Sequence, residues 1–275
     1  MSEESSPSTE SANRPVVVYA VGLLLISLGV NAWLGLALRK AEAEKPADLF
    51  WAVCQTNTPE AARKEAFLEL LELGHTEWRS ARLRQFDLRG MDLSGKRLDG
   101  ADLTGANLSG ADLSGASLVD VELPVADLTG SDLSGSTLNG IHLFRSGLDR
   151  ANLVRASVVG GHLQEMVARG ADFSGAQLMD ADLLMARLSG SDFSGADLSG
   201  ADLEAAEFQG ANLAGARLAD TNLKDTDFTD SNWWRALGLS AERLEALKKE
   251  FPPGAGAGED VRRDFAVWAN GFSGR

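Results

Sequence analysis

From Leu83 to Trp233, every residue whose number ends in 3 or 8 is Leu, Phe or Trp, save Val158 and Ala168. The spacing never slips across 31 consecutive centres. Two places before each centre the residue is mostly Ala, Ser or Thr, with departures such as Phe86, Met91, Lys96, Val121, Ile141 and Met166. A period of five fits neither regular element. On an α-helix, five residues advance about 500°, which scatters successive centres about 140° apart. On a flat strand, an odd spacing sends alternate centres to opposite faces. Both shapes leave half the leucines in water. Only a chain that turns within each repeat keeps all of them inside, and the Gly and Ser that follow the centres suit a tight corner. One such unit cannot bury its own leucine, so neighbours must stack, and the sequence implies a solenoid.

"ADLTG", "ANLSG", "ADLSG" and "ADFSG", as they stand at residues 101–105, 106–110, 111–115 and 171–175, resemble the pentapeptide-repeat family pattern A(D/N)LXX. The resemblance implies an all-β solenoid, a right-handed quadrilateral β-helix over residues 81–234. Four repeats would make one coil, so residues twenty apart would stack. The centre and the small residue two before it would point inward and the other three positions outward. Thirty-one repeats then give nearly eight coils, roughly 35–40 Å tall at about 4.8 Å between strands. A buried leucine contributes about 1.5–3 kcal/mol, and close packing leaves room for only a small residue beside it. Ala106→Leu is therefore expected to cost about 1–3 kcal/mol by overpacking, read from the thermal midpoint.

The solenoid needs closed ends. Residues 39–80 read as a linker and an amino-terminal capping helix, with Thr58 as N-cap, Pro59 at the first helical position, Gly74 as the stop, and Phe67, Leu70 and Leu71 on one stripe. Asp48 to Cys54 reads as a short helix. Trp233 is expected to plug the last coil. Residues 235–253 read as a carboxy-terminal capping helix, capped by Ser240 and ended by Pro252 and Pro253, with a homodimer contact as the alternative role. Residues 254–275, opening on "GAGAG", are expected to be a flexible tail, in which the stretch with Val261, Phe265 and Trp268 either forms one or two amphipathic turns that dock or is disordered.

Before all this lies a polar tail, residues 1–15, expected to be disordered. Val16 to Leu38 is an uncharged run of 23 residues, interrupted only by Asn31. At about 1.5 Å per residue it spans roughly 34 Å, so it reads as a single transmembrane helix. Arg14 precedes it, whereas Arg39, Lys40 and Lys45 follow, which places the β-helix in the cytoplasm.

The stacking that the resemblance implies sorts the outward residues into walls. One carries Asp92, Asp112, Asp132, Asn152, Asp172, Asp192 and Asn212. It reads either as an acidic face that attracts a basic partner or as side chains bonded to nearby backbone. Another stacks His142 on His162 between carboxylates, with Pro124, Val125, Phe144, Leu184 and Met185 alongside, and reads as a protein-contact patch. A metal site or a pH-responsive pair are the alternatives for the histidines.

The net charge of −14 opposes direct nucleic-acid binding, and a single cysteine allows no internal disulfide. No catalytic constellation, metal-ligand spacing or cofactor motif stands out. Two functions follow. The first is a membrane-anchored, non-catalytic scaffold for an unknown protein partner. The second is borrowed from the family's quinolone-resistance members, which resemble duplex DNA and act on DNA gyrase: residues 81–232 hold 23 acids against 12 bases, a balance suited to DNA mimicry.

Overall fold

The computed structural model describes residues 46–55, 58–79, 81 and 83–271. The expected tail, the run Val16–Leu38 and Asn31 lie outside the described residues. Among the described residues no helix is long and apolar enough to cross a membrane. The chain divides into two compact units, Met1–Leu73 and Gly74–Arg275.

In the first unit, helix α1 (Pro46–Cys54) packs on helix α2 (Glu60–Glu72). Ala62, Ala66, Phe67, Leu70 and Leu71 of α2 are buried, as are Leu49 and Val53 of α1. Arg63 Nε donates to the Val53 carbonyl at 3.0 Å, which satisfies one orphan acceptor at the end of α1. Helix α2 begins one residue later than its sequence predicts. Pro59 keeps an extended ψ of 141° and stands at the N-cap itself, so Thr58 does not cap.

The second unit is the solenoid. Single-residue parallel bridges join positions twenty apart, from Asp87 with Asn107 to Arg217 with Leu237. All the centres from Leu83 to Trp233 are buried. So are the residues two before them, except Met91 and Lys96, which are half-buried. Ala106 is 1% exposed, in line with the inward placement that its substitution tests.

The repeat is explained by where its five N–H groups go, because a buried backbone donor must be paired. In the repeat of Asp92, the Leu93 N–H donates to the Asp112 carbonyl of the next coil, at 2.7 Å. The Gly95 N–H donates to Ser114 of the next coil, and the Lys96 N–H closes the turn onto Leu93. One coil on, the Asp112 N–H donates back to Met91. The fifth donor, Ser94 N–H, is taken by the Asp92 carboxylate at 3.0 Å. The Asp/Asn of the motif is thus an Asx acceptor for its own turn.

The second residue after each centre has a φ near +60° at every position from Gln85 to Asp230. That is the sign a type II turn requires at its third residue, which explains glycines such as Gly95. Thirteen of these corners nevertheless carry another residue, Val125 with φ 60° among them.

Inward hydroxyls are paired too: Ser131 and Ser136 donate to the carbonyls of Leu128 and Leu133 at 2.8 and 2.6 Å. Among the described residues no buried side-chain polar atom lacks a partner. The departures from the small-large rule compensate one another. Gly161 follows Ile141 one coil on, and a Cβ there would lie 3.0 Å from Val158 Cγ1 and 3.5 Å from Ile141 Cγ2. Buried Met166 and buried Ala168 have exchanged the sizes expected at their two positions.

The carboxy-terminal end is aromatic. Phe173 stacks on Phe193 at 4.6 Å, and the column continues through Phe208 and Phe228 to Phe251. Trp233 opens a 3₁₀ turn, Trp233–Arg235, and is fully buried. Helix α3 (Ala241–Glu250) follows, with Ser240 accepting from the Arg243 N–H as expected.

The flexible tail expected over 254–275 is corrected in its greater part. Helix α4 spans Glu259–Gly271. Its Phe265 and Trp268 rings lie 6.2 and 5.4 Å from Trp233, and its Asp264 accepts from Trp234 Nε1 at 2.8 Å and from Arg235. The glycine run is likewise tied down, because the Gly254 N–H donates to Asp230 at 2.8 Å. The stripe of Val261, Phe265 and Trp268 was visible in the sequence. The aromatic end that gives it something to bury against was not.

Arg235 first, and Trp234 with it, holds the Asp264 carboxyl below the usual carboxylate range, against a desolvation cost. Stability from this carboxylate is complete above its unfolded value of about 4 and is lost as pH falls through the folded one. Asp264→Asn is therefore expected to remove part of the acid-side fall in unfolding midpoint, compared with the parent chain from pH 6 to pH 2.

Candidate functional site

The acidic wall stands where the sequence places it, and its first role is structural. Asp92, Asp112, Asp132, Asp172 and Asp192 accept from the N–H groups of Ser94, Ser114, Ser134, Ser174 and Ser194 at 2.7–3.0 Å. Asn152 and Asn212 interrupt the column, and each donates its amide to the Asp one coil earlier, at 3.0 Å. Ser94 Oγ and N–H hold the Asp92 carboxyl below its ordinary range, so it stays charged while it serves the turn.

The sequence missed a second set of such acceptors. Asp99, Asn139 and Asp149 reach one coil on, to the N–H groups of Val119, Val159 and Arg169. The signal was present: Ser117, Ser157 and Val167, two places before those donors, are not Asp or Asn. Pro124 answers the same demand differently, since it follows Glu122 and has no N–H to satisfy.

The residues read as one contact patch are divided into two groups. Val125 is 63% exposed and Phe144 37%, one coil apart, with Pro124 half-buried at the same corner. Met185 is 54% exposed beside half-buried Leu184, further along that edge. Between the two groups lies an ion pair, Arg145 Nε to Glu165 Oε2 at 2.7 Å. The Arg145 guanidinium also covers the Phe144 ring at 4.9 Å. A shallow depression of about 320 Å³ is lined by Arg145, Glu165, Val167, Met185 and Arg187.

His142 and His162 pair as one rung, their rings 4.5 Å apart and 42° from parallel, with Glu122 Oε2 3.7 Å from His142 Nδ1. Among the described residues no three His, Cys, Asp or Glu side chains gather closely enough to hold a metal ion. The arrangement offers exposed apolar and charged side chains on a rigid wall, which suits contact with another macromolecule.

A family model described as pentapeptide repeats matches residues 81–120 and, through overlapping segments, 126–232, in eight copies. The chain belongs to the pentapeptide-repeat family. Membership carries the right-handed sense of the β-helix that the repeat spacing alone leaves open. Pentapeptide-repeat proteins of known structure are similar to it. A trypsin-treated form of QnrB1, a plasmid-mediated fluoroquinolone resistance protein, is 21% identical over 53% of this chain and 80% of its own, with a TM-score of 0.33. A pentapeptide-repeat protein of the Arabidopsis thaliana thylakoid lumen is 30% identical over 51% and 87%, with a TM-score of 0.30. HetL, involved in heterocyst differentiation regulation in the cyanobacterium Nostoc, is 26% identical over 61% and 95%, with a TM-score of 0.21. No curated protein matches the chain.

Proposed function

We propose that the chain is a membrane-anchored, non-catalytic pentapeptide-repeat scaffold that presents its β-helix to a protein partner on the cytoplasmic side. One observation carries the contact reading. Val125, Phe144 and Met185 are exposed on one edge of a solenoid whose corners elsewhere hold mostly glycine, and Val125 and Met185 occupy the strained corner position itself. The anchor rests on the uncharged run Val16–Leu38 and the basic residues after it. The Trp233 end is assigned to closing the last coil, so that its edge is not open. The test is recovery of partners from detergent extracts with the parent chain and with Phe144→Asp. Loss of at least one partner is expected, and identical partner sets remove this edge from the function.

The stacked carboxylates of the acidic wall, broken only at Asn152 and Asn212, favour a second reading, mimicry of DNA toward a nucleic-acid enzyme such as gyrase. A supercoiling assay with residues 46–275 tests it. The absence of any effect at micromolar protein ends it.

A further inference from the structure

The charge of the solenoid inverts in its middle. Residues 141–170 hold two acids, Asp149 and Glu165, against four arginines, Arg145, Arg150, Arg155 and Arg169. The coil of residues 141–160 has no acid at any outward strand position, where His142, Gly147, Asn152 and Ser157 stand. On the wall that carries Asp87, Asn107, Asp127, Glu207 and Asp227 in other coils, the middle rung is Gly147 paired with Val167.

Nothing in the fold requires Gly147. Its φ is not positive, and a Cβ there would meet only Thr129 Oγ1 at 3.8 Å and Asp127 Oδ1 at 3.9 Å, which is ordinary contact. The missing side chain keeps the floor of this wall open. Arg145 stands at the corner before the floor, Arg150 and Arg169 at the corner after it, and Arg187 on the next strand. Arg145 pairs with Glu165 at 2.7 Å and Arg187 with Glu207 at 3.9 Å, whereas among the described residues neither Arg150 nor Arg169 holds an ion pair, and both are exposed. Arg150 adopts φ 59°, where most corners of its edge have glycine, so the guanidinium is kept at a conformational cost.

We propose that the Gly147–Val167 floor, flanked by Arg145, Arg150, Arg169 and Arg187, docks a short acidic segment of a partner protein. Charge complementarity selects the occupant. Two or three rungs at about 4.8 Å give roughly 10–15 Å of basic surface, the length of three or four extended residues. Acidic coils above and below repel a long polyanion, so nucleic acid fits poorly. Arginine suits the task because its planar fork meets carboxylates in pairs. The partner's basic surface expected from net charge is thereby replaced, at this site, by an acidic one. The proposal rests on the protein-contact reading above and adds the site and the partner's chemistry.

The test places a photo-crosslinking benzoylphenylalanine at residue 147 in the full chain in its native membrane, with residue 107 on the same wall and residue 125 on the exposed edge for comparison. Cross-linked peptides are sequenced. Position 147 is expected to capture an acidic protein segment at least threefold above position 107. Capture of nucleic acid, lipid or a segment without acids overturns the site, and so does capture at 125 without capture at 147. No protein capture at any position sinks the contact reading as well. Two matched variants separate binding from folding. Arg150→Gly and Arg155→Gly relieve the same corner strain in the same coil, φ 59° and 57°, and each is expected to raise Tm by about 2–4 °C. Only Arg150→Gly, which borders the floor, is expected to cut the 147 cross-link threefold or more. Equal effects of the two on cross-linking overturn the assignment.

Discussion

Trp233→Ala lowers the stability of the solenoid by about 3–5 kcal/mol, the range for removing a buried aromatic side chain. The residue is fully buried and touches the rings of Trp234, Phe265 and Trp268, while its Nε1 donates to the Phe251 carbonyl at 3.0 Å. Truncation also loosens the footing of α4 and uncovers the last parallel rungs, a ready template for another chain. A lower urea midpoint by circular dichroism, with concentration-dependent association in sedimentation velocity, is the expected pair of results. Trp233→Phe keeps the ring and loses the N–H bond, and should cost only about 1 kcal/mol. If Trp233→Ala leaves the midpoint unchanged, the ring does not close the end.

The second large effect tests the exchange of sizes at residues 166 and 168. Both are fully buried. Met166→Ala leaves a cavity and costs about 2–5 kcal/mol. Ala168→Leu places a large side chain beside Met166 and costs about 1–3 kcal/mol. The double variant restores the family's usual small-then-large order and should lie within about 1 kcal/mol of the parent chain. The coupling is read as a double-mutant cycle from denaturation midpoints. Additive losses would show that the two side chains do not share one volume.

The sequence was legible where the physics is local. The corner, the buried centre and the small inward residue all fall within five residues, so Leu103, Gly105 and Ala106 can be read without their neighbours. The role of Asp92 was open between partner attraction and a backbone bond, because both use the same carboxylate. Only the position of the Ser94 N–H resolves it. The contact patch was legible as a set of unusual residues, but not as two groups, because the Arg145–Glu165 pair that divides it spans twenty positions. The helix of residues 259–271 was missed as a stable element because its apolar stripe is short, and its partner surface is built from Trp233 and Trp234.

By itself, then, the order of residues determined that this chain turns every five positions and stacks its turns around a dry interior, since no other shape buries every centre. It could not choose the number of turns per coil from spacing, because any multiple of five repeats the same pattern. The register of twenty, which the family resemblance implied and spacing alone did not, is fixed in three dimensions by bridges between residues twenty apart. It sets which carboxylates meet, which arginines flank the Gly147–Val167 floor and which rings converge on Trp233. Those contacts join residues far apart in the chain, and hydrogen bonds between coils fix them.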